Sequence, residues 1–137
     1  MVKTHGLTHI SLAVRDAERS LQFYQEVLGV VVVYRDKGFI QAQTPGSRDV
    51  LVFLDGADRA GEAGGVSHFG FRLVDAADID AAAAAVALAG GKVLRQGEVV
   101  PGEPYIFFAD PDGYEIEIWY EPPTPGDPPA AAPVTAR

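Results

Sequence analysis

The chain contains no cysteine, and this absence narrows the chemistry that is open to it. Without thiols it can have no disulfide framework, no cysteine nucleophile and no thiolate metal site. Any metal ion must therefore be held by histidine, aspartate, glutamate or backbone oxygens.

Basic residues and long apolar runs are also scarce. Eleven Lys and Arg residues stand against nineteen Asp and Glu residues, which gives a net charge of −8 over 137 residues. This charge repels phosphate backbones and anionic lipid surfaces, so we expect no nucleic-acid or membrane partner. No apolar run approaches the roughly 20 residues that span a bilayer, and the polar start MVKTHGLTHI is unlike a secretion signal. We therefore expect a cytoplasmic protein.

The pattern of apolar residues predicts a repeated order of elements. Residues 5–14 alternate like a half-buried strand, and Asp16 and Gly29 are placed to begin and end a helix. Three β-rich runs separated by turn-forming residues follow, and the same order then recurs. The predicted fold class is therefore α+β, with two tandem β-α-β-β-β modules at about residues 5–56 and 66–121.

The two predicted modules open with the same motif. LTHISLAVRDA at residues 7–17 aligns without a gap with VSHFGFRLVDA at residues 66–76. The alignment places His9 on His68, Thr8 on Ser67, and the two helix-capping aspartates on each other. We interpret the chain as a duplication in which the two histidines hold equivalent positions.

Strand pleating predicts where the histidines point. Phe69, Phe71 and Leu73 form the apolar face that a helix would cover, so His68 points to the other face. The same alternation points His9 away from Ile10 and Leu12. In the last strand, Glu115 and Glu117 share the face opposite the apolar residues. If the two sheets curve around a shared cavity, both imidazoles and one or two carboxylates line it. Such a set suits a divalent metal ion (Fe, Mn, Zn, Ni or Co) and leaves positions open for substrate.

Four motifs extend this pattern over nearly the whole chain. They are THISLAV followed by Asp16, FYQEVLG at 23–29, SHFGFRL at 67–73 and FADPDGYEIEIW at 108–119. Together they resemble the vicinal oxygen chelate superfamily of glyoxalases, bleomycin-resistance proteins, extradiol dioxygenases and fosfomycin-resistance enzymes. The resemblance covers about residues 5–121 and implies curved mixed sheets around a cavity, the glyoxalase/bleomycin resistance/dioxygenase fold.

The resemblance also implies a ligand set and an assembly. Carried over by position, the metal ligands are His9, His68 and Glu117, and Glu117 is the catalytic carboxylate. Glu115 shares its face, but the spacing from the DPDG turn favours Glu117. Members with one such chain usually dimerise, and the paired module can come from the partner chain. The resemblance therefore implies a homodimer with shared sites.

The features that identify one particular reaction in the family are missing. Residues 50–54 lack the fourth ligand that glyoxalase-type enzymes carry there, and Phe107 stands where ring-cleaving dioxygenases have a tyrosine. The stretch YEPPTPGD lacks the basic residues that follow the last strand in fosfomycin-resistance enzymes. The resemblance therefore implies a metal-dependent dioxygenase-, lyase- or isomerase-type enzyme for a small oxygen-chelating substrate, with the reaction left open.

A different class of protein is also compatible with the sequence. This alternative is a metal-free binding or resistance protein of the bleomycin-resistance type, which sequesters a small aromatic ligand without turnover. We predict that Tyr105, Phe107 and Trp119 line a substrate pocket and that Arg72 holds an anionic or carbonyl group. Aromatic residues in late strands more often belong to a core, and an arginine is equally typical of a surface.

The C-terminal segment departs from the rest of the chain in composition. EPPTPGDPPAAAPVTAR, from Glu121 onward, holds six of the ten prolines. Proline lacks the backbone donor that sheets and helix interiors need. We therefore predict a single domain over residues 1–121 and a disordered or loosely draped tail over residues 122–137.

Overall fold

The computed structural model describes residues 1–129, and its elements follow the duplicated order. The first module contains β1 (Ile10–Val14), α1 (Ala17–Leu28), β2 (Val31–Asp36), β3 (Phe39–Gln43) and β4 (Leu51–Asp55). The second contains β5 (Phe69–Arg72), a 3-10 turn (Ala76–Asp78), α2 (Ile79–Leu88), β6 (Lys92–Val100), β7 (Glu103–Ala109) and β8 (Glu115–Trp119). The predicted α+β fold with two β-α-β-β-β modules is confirmed. Residues 130–137 of the predicted tail lie outside the described residues.

Each module forms one mixed four-stranded sheet with the same topology. The strand orders are β1-β4-β3-β2 and β5-β8-β7-β6. The first strand of each module runs parallel to the last, and the remaining neighbours are antiparallel. Over residues 1–129, neither helix has the length and apolar character needed to cross a membrane.

Helix α1 begins and ends where the sequence predicts. The Asp16 side chain accepts hydrogen bonds from the backbone N–H groups of Glu18 and Arg19, and Gly29 ends the helix at a φ of 68°. A left-handed φ of this kind favours glycine because any side chain would be strained there. In the second module Asp75 caps the 3-10 turn that precedes α2, by accepting from Ala77 N. The duplication therefore includes the local chemistry that starts each helical segment.

The opening strand of each module is shorter than the sequence predicts. Strand β1 begins at Ile10 because its ladder with β4 begins there, opposite Leu51, and β5 begins at Phe69 opposite Ile116. His9 and His68 therefore lie immediately before the first residue of their strands, still at equivalent positions.

The two modules share one hydrophobic core. The α1 side chain of Phe23 lies 6.2 Å from Phe108 of β7 between ring centroids, and Tyr24 lies 5.0 Å from Phe53 of β4. The buried residues from the second module include Val86, Ile106, Phe108, Ile116 and Ile118. Burial alternates along β7 and β8, so the other face of this sheet is half-buried and carries the polar and aromatic side chains.

The DPDG turn between β7 and β8 joins the second module to helix α1. Buried Asp112 accepts hydrogen bonds from the backbone N and guanidinium of Arg15, from Arg19 (each 3.1 Å) and from the Ser20 hydroxyl (3.3 Å). Asp110 accepts from the Tyr24 hydroxyl at 2.8 Å. Asp112 is thus satisfied by groups of the first module, whereas Asp110 also accepts from Asp112 N and Tyr114 N of its own turn. These contacts make the turn a lock between the modules.

Replacing Tyr24 with Phe should reduce stability by about 1–3 kcal/mol at neutral pH, because a buried carboxylate loses a donor. Burial, together with Asp110, raises the pKa of the Tyr24 hydroxyl well above its usual value, so the phenol keeps its proton and donates. Burial also raises the pKa of Asp110. The stability that this carboxyl contributes is therefore greatest in acid and is lost as pH rises through its folded pKa.

The loss caused by Tyr24→Phe should accordingly be largest above the folded pKa of Asp110 and smaller in acid, where Asp110 is protonated in both proteins. Denaturant unfolding of both proteins between pH 3.5 and 7.5 measures this difference. A loss that does not change with pH would contradict the pairing with ionised Asp110.

Candidate functional site

His68 and Glu117 form a pair on the half-buried face of the second sheet. His68 Nε2 lies 3.2 Å from Glu117 Oε2, and the two side chains are 34% and 20% exposed. Bonds from a metal ion to imidazole nitrogen and carboxylate oxygen are about 2.0–2.2 Å, so two ligands of one ion lie roughly 2.9–3.5 Å apart. The pair therefore has the chemistry and the spacing of two ligands of one divalent ion.

The residue opposite Glu117 in the neighbouring strand is a glycine. Glu117 lies opposite Gly70 in the parallel β5–β8 ladder. A Cβ at Gly70 would come within 3.1 Å of the Glu117 carbonyl oxygen and 3.4 Å of its Cβ. The missing side chain therefore keeps the face next to Glu117 clear.

Ser67 orients the imidazole from the other side. Its hydroxyl lies 3.1 Å from His68 Nδ1, which leaves Nε2 directed to Glu117. Partners of this kind fix the ring orientation of metal-binding histidines. Ser67 is not among the residues predicted from the sequence, although the alignment of Thr8 with Ser67 places a hydroxyl before both histidines.

An aromatic wall adjoins the pair. The Phe107 ring meets the His68 ring edge-on at 4.8 Å between centroids, and Tyr105 meets Phe107 at 5.6 Å. Trp119 lies opposite Tyr105 in the β7–β8 ladder. The three predicted aromatic residues therefore share the Glu117 face of the sheet.

Arg95 forms an ion pair with one of the two candidate carboxylates. Its guanidinium stacks 3.9 Å from the centroid of Phe107 and forms an ion pair with Glu115. Glu115 is therefore engaged by Arg95, whereas Glu117 faces His68. Arg95 is not among the residues predicted from the sequence, because a register shift between Val93 and Arg95 in β6 changes the face on which Arg95 lies.

His9 lies apart from the pair. It is exposed and lines a cavity of about 270 Å³ together with Phe69 and Arg72. Among residues 1–129, no three His, Asp or Glu side chains come together in an arrangement that holds a metal ion. One chain thus brings together two of the three predicted ligands, His68 and Glu117.

Two further cavities adjoin the pair. One of about 350 Å³ lies between the first strands of the two modules and is lined by Ser11, Leu54, Arg59 and His68, among others. Another of about 240 Å³ is lined by Arg72, Glu117 and Trp119. The first has the volume of a pocket for a small molecule.

Arg72 is occupied by the chain itself. Its guanidinium binds the Asp127 carboxylate through two contacts, at 2.9 and 3.0 Å. The hydrogen bonds from Arg72 hold the pKa of Asp127 well below its ordinary value. The beginning of the predicted tail is thus in contact with a predicted substrate-binding residue.

Two duplicated modules, each a mixed sheet with one helix, define a glyoxalase-like fold. A solved structure with this fold is that of a mutant fosfomycin resistance protein FosX from Listeria monocytogenes, complexed with Mn(II) and 1S,2S-dihydroxypropylphosphonic acid. Its TM-score is 0.71 and its sequence identity 19%, over 85% of this chain and 90% of that one.

Residues 6–118 match the model of the Glyoxalase/Bleomycin resistance protein/Dioxygenase superfamily, and the chain belongs to this superfamily. It is 32% identical to a lactoylglutathione lyase of Haemophilus influenzae, over 82% of this chain and 90% of that protein. It is also 31% identical to a probable chloroplastic lactoylglutathione lyase of Arabidopsis thaliana. That match covers 87% of this chain but only 37% of the longer plant protein. The resemblance inferred from the sequence motifs is confirmed.

Proposed function

We propose that this protein is a metal-dependent enzyme that binds a small substrate through two neighbouring oxygens. The observation that carries the proposal is the 3.2 Å separation of His68 Nε2 and Glu117 Oε2 on a half-buried face beside a cavity. The Mn(II) bound to FosX, a protein of the same fold, supports a divalent ion. When bound by His68 and Glu117, such an ion supplies Lewis acidity, which stabilises negative charge on a substrate oxygen.

The third ligand in this proposal is His9 of the partner subunit in a homodimer. Its support is that His9 is exposed in one chain and lies away from the pair, while the His68 and Glu117 side chains are themselves 34% and 20% exposed. Three protein ligands would leave room for substrate, as catalytic metal sites do.

The surrounding residues position and shield the substrate. Ser67 fixes the imidazole, and Gly70 leaves space beside Glu117. Phe107 and its aromatic neighbours exclude water from one side of the pair. The reaction class that follows is a lyase, isomerase or dioxygenase reaction of a small chelating molecule.

Metal content and subunit mixing test this proposal together. The wild-type protein, purified without chelator, should hold about one transition-metal ion per chain. Coexpressed His9→Ala and His68→Ala chains, purified through two different tags, should hold about half of that content. Each such heterodimer has one site with both changes and one intact site, whereas each variant alone should hold almost none.

The matched control is a heterodimer of His68→Ala and Glu117→Gln chains. Both changes lie in the second module, so each of the two sites lacks either His68 or Glu117. This heterodimer should therefore hold almost no metal. Equal recovery in both heterodimers would contradict the shared site. Less than about 0.2 metal equivalents in the wild-type protein would contradict metal dependence.

A second candidate is a metal-free protein that sequesters an aromatic ligand. The observation in its favour is the wall formed by Tyr105 and Phe107 in a chain whose described residues contain no complete three-ligand group. Two measurements separate the candidates: a protein of this second kind holds less than about 0.2 metal equivalents and binds aromatic ligands equally well with and without a chelator.

A further inference from the structure

The guanidinium of Arg72 is surrounded by acceptors from one short segment. Nε donates to the Glu121 carbonyl at 3.1 Å, and Nη2 donates to the Pro122 carbonyl at 2.8 Å. Both terminal nitrogens also donate to Asp127, at 2.9 and 3.0 Å. This fork-to-fork arrangement is the one with which arginine recognises a planar carboxylate.

The segment of residues 121–127, called the tail turn below, presents this carboxylate from its own fold. Thr124 donates to Asp127 from its backbone N at 2.9 Å and from its hydroxyl at 3.1 Å. Asp127 N donates back to the Thr124 carbonyl at 3.0 Å. The tail turn thus holds one carboxylate directed at Arg72.

Arg72 is also a neighbour of the proposed metal ligands. It follows Gly70, the residue opposite Glu117, by two positions on the same face, and it lies opposite Trp119 in the ladder. Arg72 and Glu117 line the same cavity of about 240 Å³. A carboxylate on Arg72 therefore lies at the edge of the region that a ligand of Glu117 would occupy.

We propose that Arg72 is the carboxylate-binding subsite of this site, that Asp127 occupies it when no ligand is bound, and that the substrate carries a carboxylate which displaces Asp127. The metal-dependent function proposed above provides the setting, and this inference names its substrate class. The Arg72 and Asp127 side chains are 40% and 29% exposed. Solvent-accessible pairs of this kind are weak, so a ligand carboxylate can exchange with Asp127.

Binding of benzoate to the chain of residues 1–137 tests this inference, with a chelator present so that no metal ion takes part. Trp119 is the only tryptophan, and its position opposite Arg72 makes its fluorescence the readout. Asp127→Ala should bind benzoate about two- to fivefold more tightly than the wild type, because no internal carboxylate competes. Arg72→Gln should show no saturable binding, and Arg72→Lys should bind more weakly than the wild type.

Two controls make the result specific. Asp58→Ala removes an exposed carboxylate in the loop between the modules and should leave benzoate affinity unchanged. Benzamide has the same ring without the charge and should not distinguish Asp127→Ala from the wild type. Circular dichroism establishes that each variant is folded.

The subsite is overturned if Asp127→Ala binds benzoate no more tightly than the wild type, or if Arg72→Gln binds it equally well. This result is independent of the metal experiment. Benzoate exchange in a protein that holds no metal would leave the carboxylate subsite intact and remove the metal function. Metal binding without the Asp127 effect would remove only the subsite.

Discussion

Replacing Glu117 with Gln is expected to weaken divalent metal binding by about 100-fold or more, whereas Glu115→Gln should change it by less than about threefold. The two glutamates are two residues apart in β8 and share a face. Glu117 lies 3.2 Å from His68, while Glu115 is paired with Arg95. An amide has the shape of the carboxylate but not its charge, so the change removes the ionic part of metal binding with little steric effect.

Calorimetric titration of both variants with Mn²⁺ and Zn²⁺ measures this difference. The thermal unfolding temperature of each variant without metal serves as the control for folding. Equal losses of metal affinity in Glu115→Gln and Glu117→Gln would mean that the affinity depends on the total negative charge of this face rather than on coordination by Glu117. Unchanged affinity in Glu117→Gln would contradict its role as a ligand.

Replacing Asp112 with Ala is expected to lower the free energy of unfolding by about 2–4 kcal/mol. The Asp112 side chain is fully buried and accepts hydrogen bonds from Arg15, Arg19 and Ser20. Alanine leaves the Arg15 backbone N–H and the Ser20 hydroxyl without this acceptor. The two guanidiniums are about half exposed and can turn to solvent, which keeps the loss below that of a fully buried ion pair.

Denaturant unfolding at neutral pH measures this loss, and Asp58→Ala is the matched control because Asp58 is exposed. Asp112→Asn should lose less than Asp112→Ala, because the amide oxygen still accepts from the Arg15 backbone. A loss below about 1 kcal/mol in Asp112→Ala would show that the lock between the modules adds little to stability.

The fold was predictable because its signals are local. Apolar periodicity, the capping aspartates and Gly29 are all present within short stretches of sequence. Because a motif aligned with LTHISLAVRDA opens the second module, the same local signals support each module independently. The strand limits were less well predicted, since β1 and β5 extend only as far as their partners in the sheet.

The site was predictable only in part because its contacts are distant in sequence. The motif spacing was sufficient to bring Glu117 to His68, across 49 positions of the chain. It was not sufficient to predict that Asp112 accepts a hydrogen bond from Arg15, 97 positions away. A turn exposed at the surface and a buried turn that joins two modules have the same amino-acid composition, so the sequence does not distinguish them. His9 lies away from the pair in one chain, and the proposed contact through a partner subunit is one that no local pattern encodes.

The DPDG turn also bears on how the duplicated chain has diverged. The equivalent turn of the first module, between β3 and β4, reads TPGSRDV and forms hydrogen bonds within itself, as between Thr44 N and the Asp49 carboxylate. The turn of the second module instead holds helix α1 through Asp110 and Asp112. The two halves are therefore no longer interchangeable: a gene that carried the first module twice would encode both sheets but would lack the carboxylates that bind one half to the other.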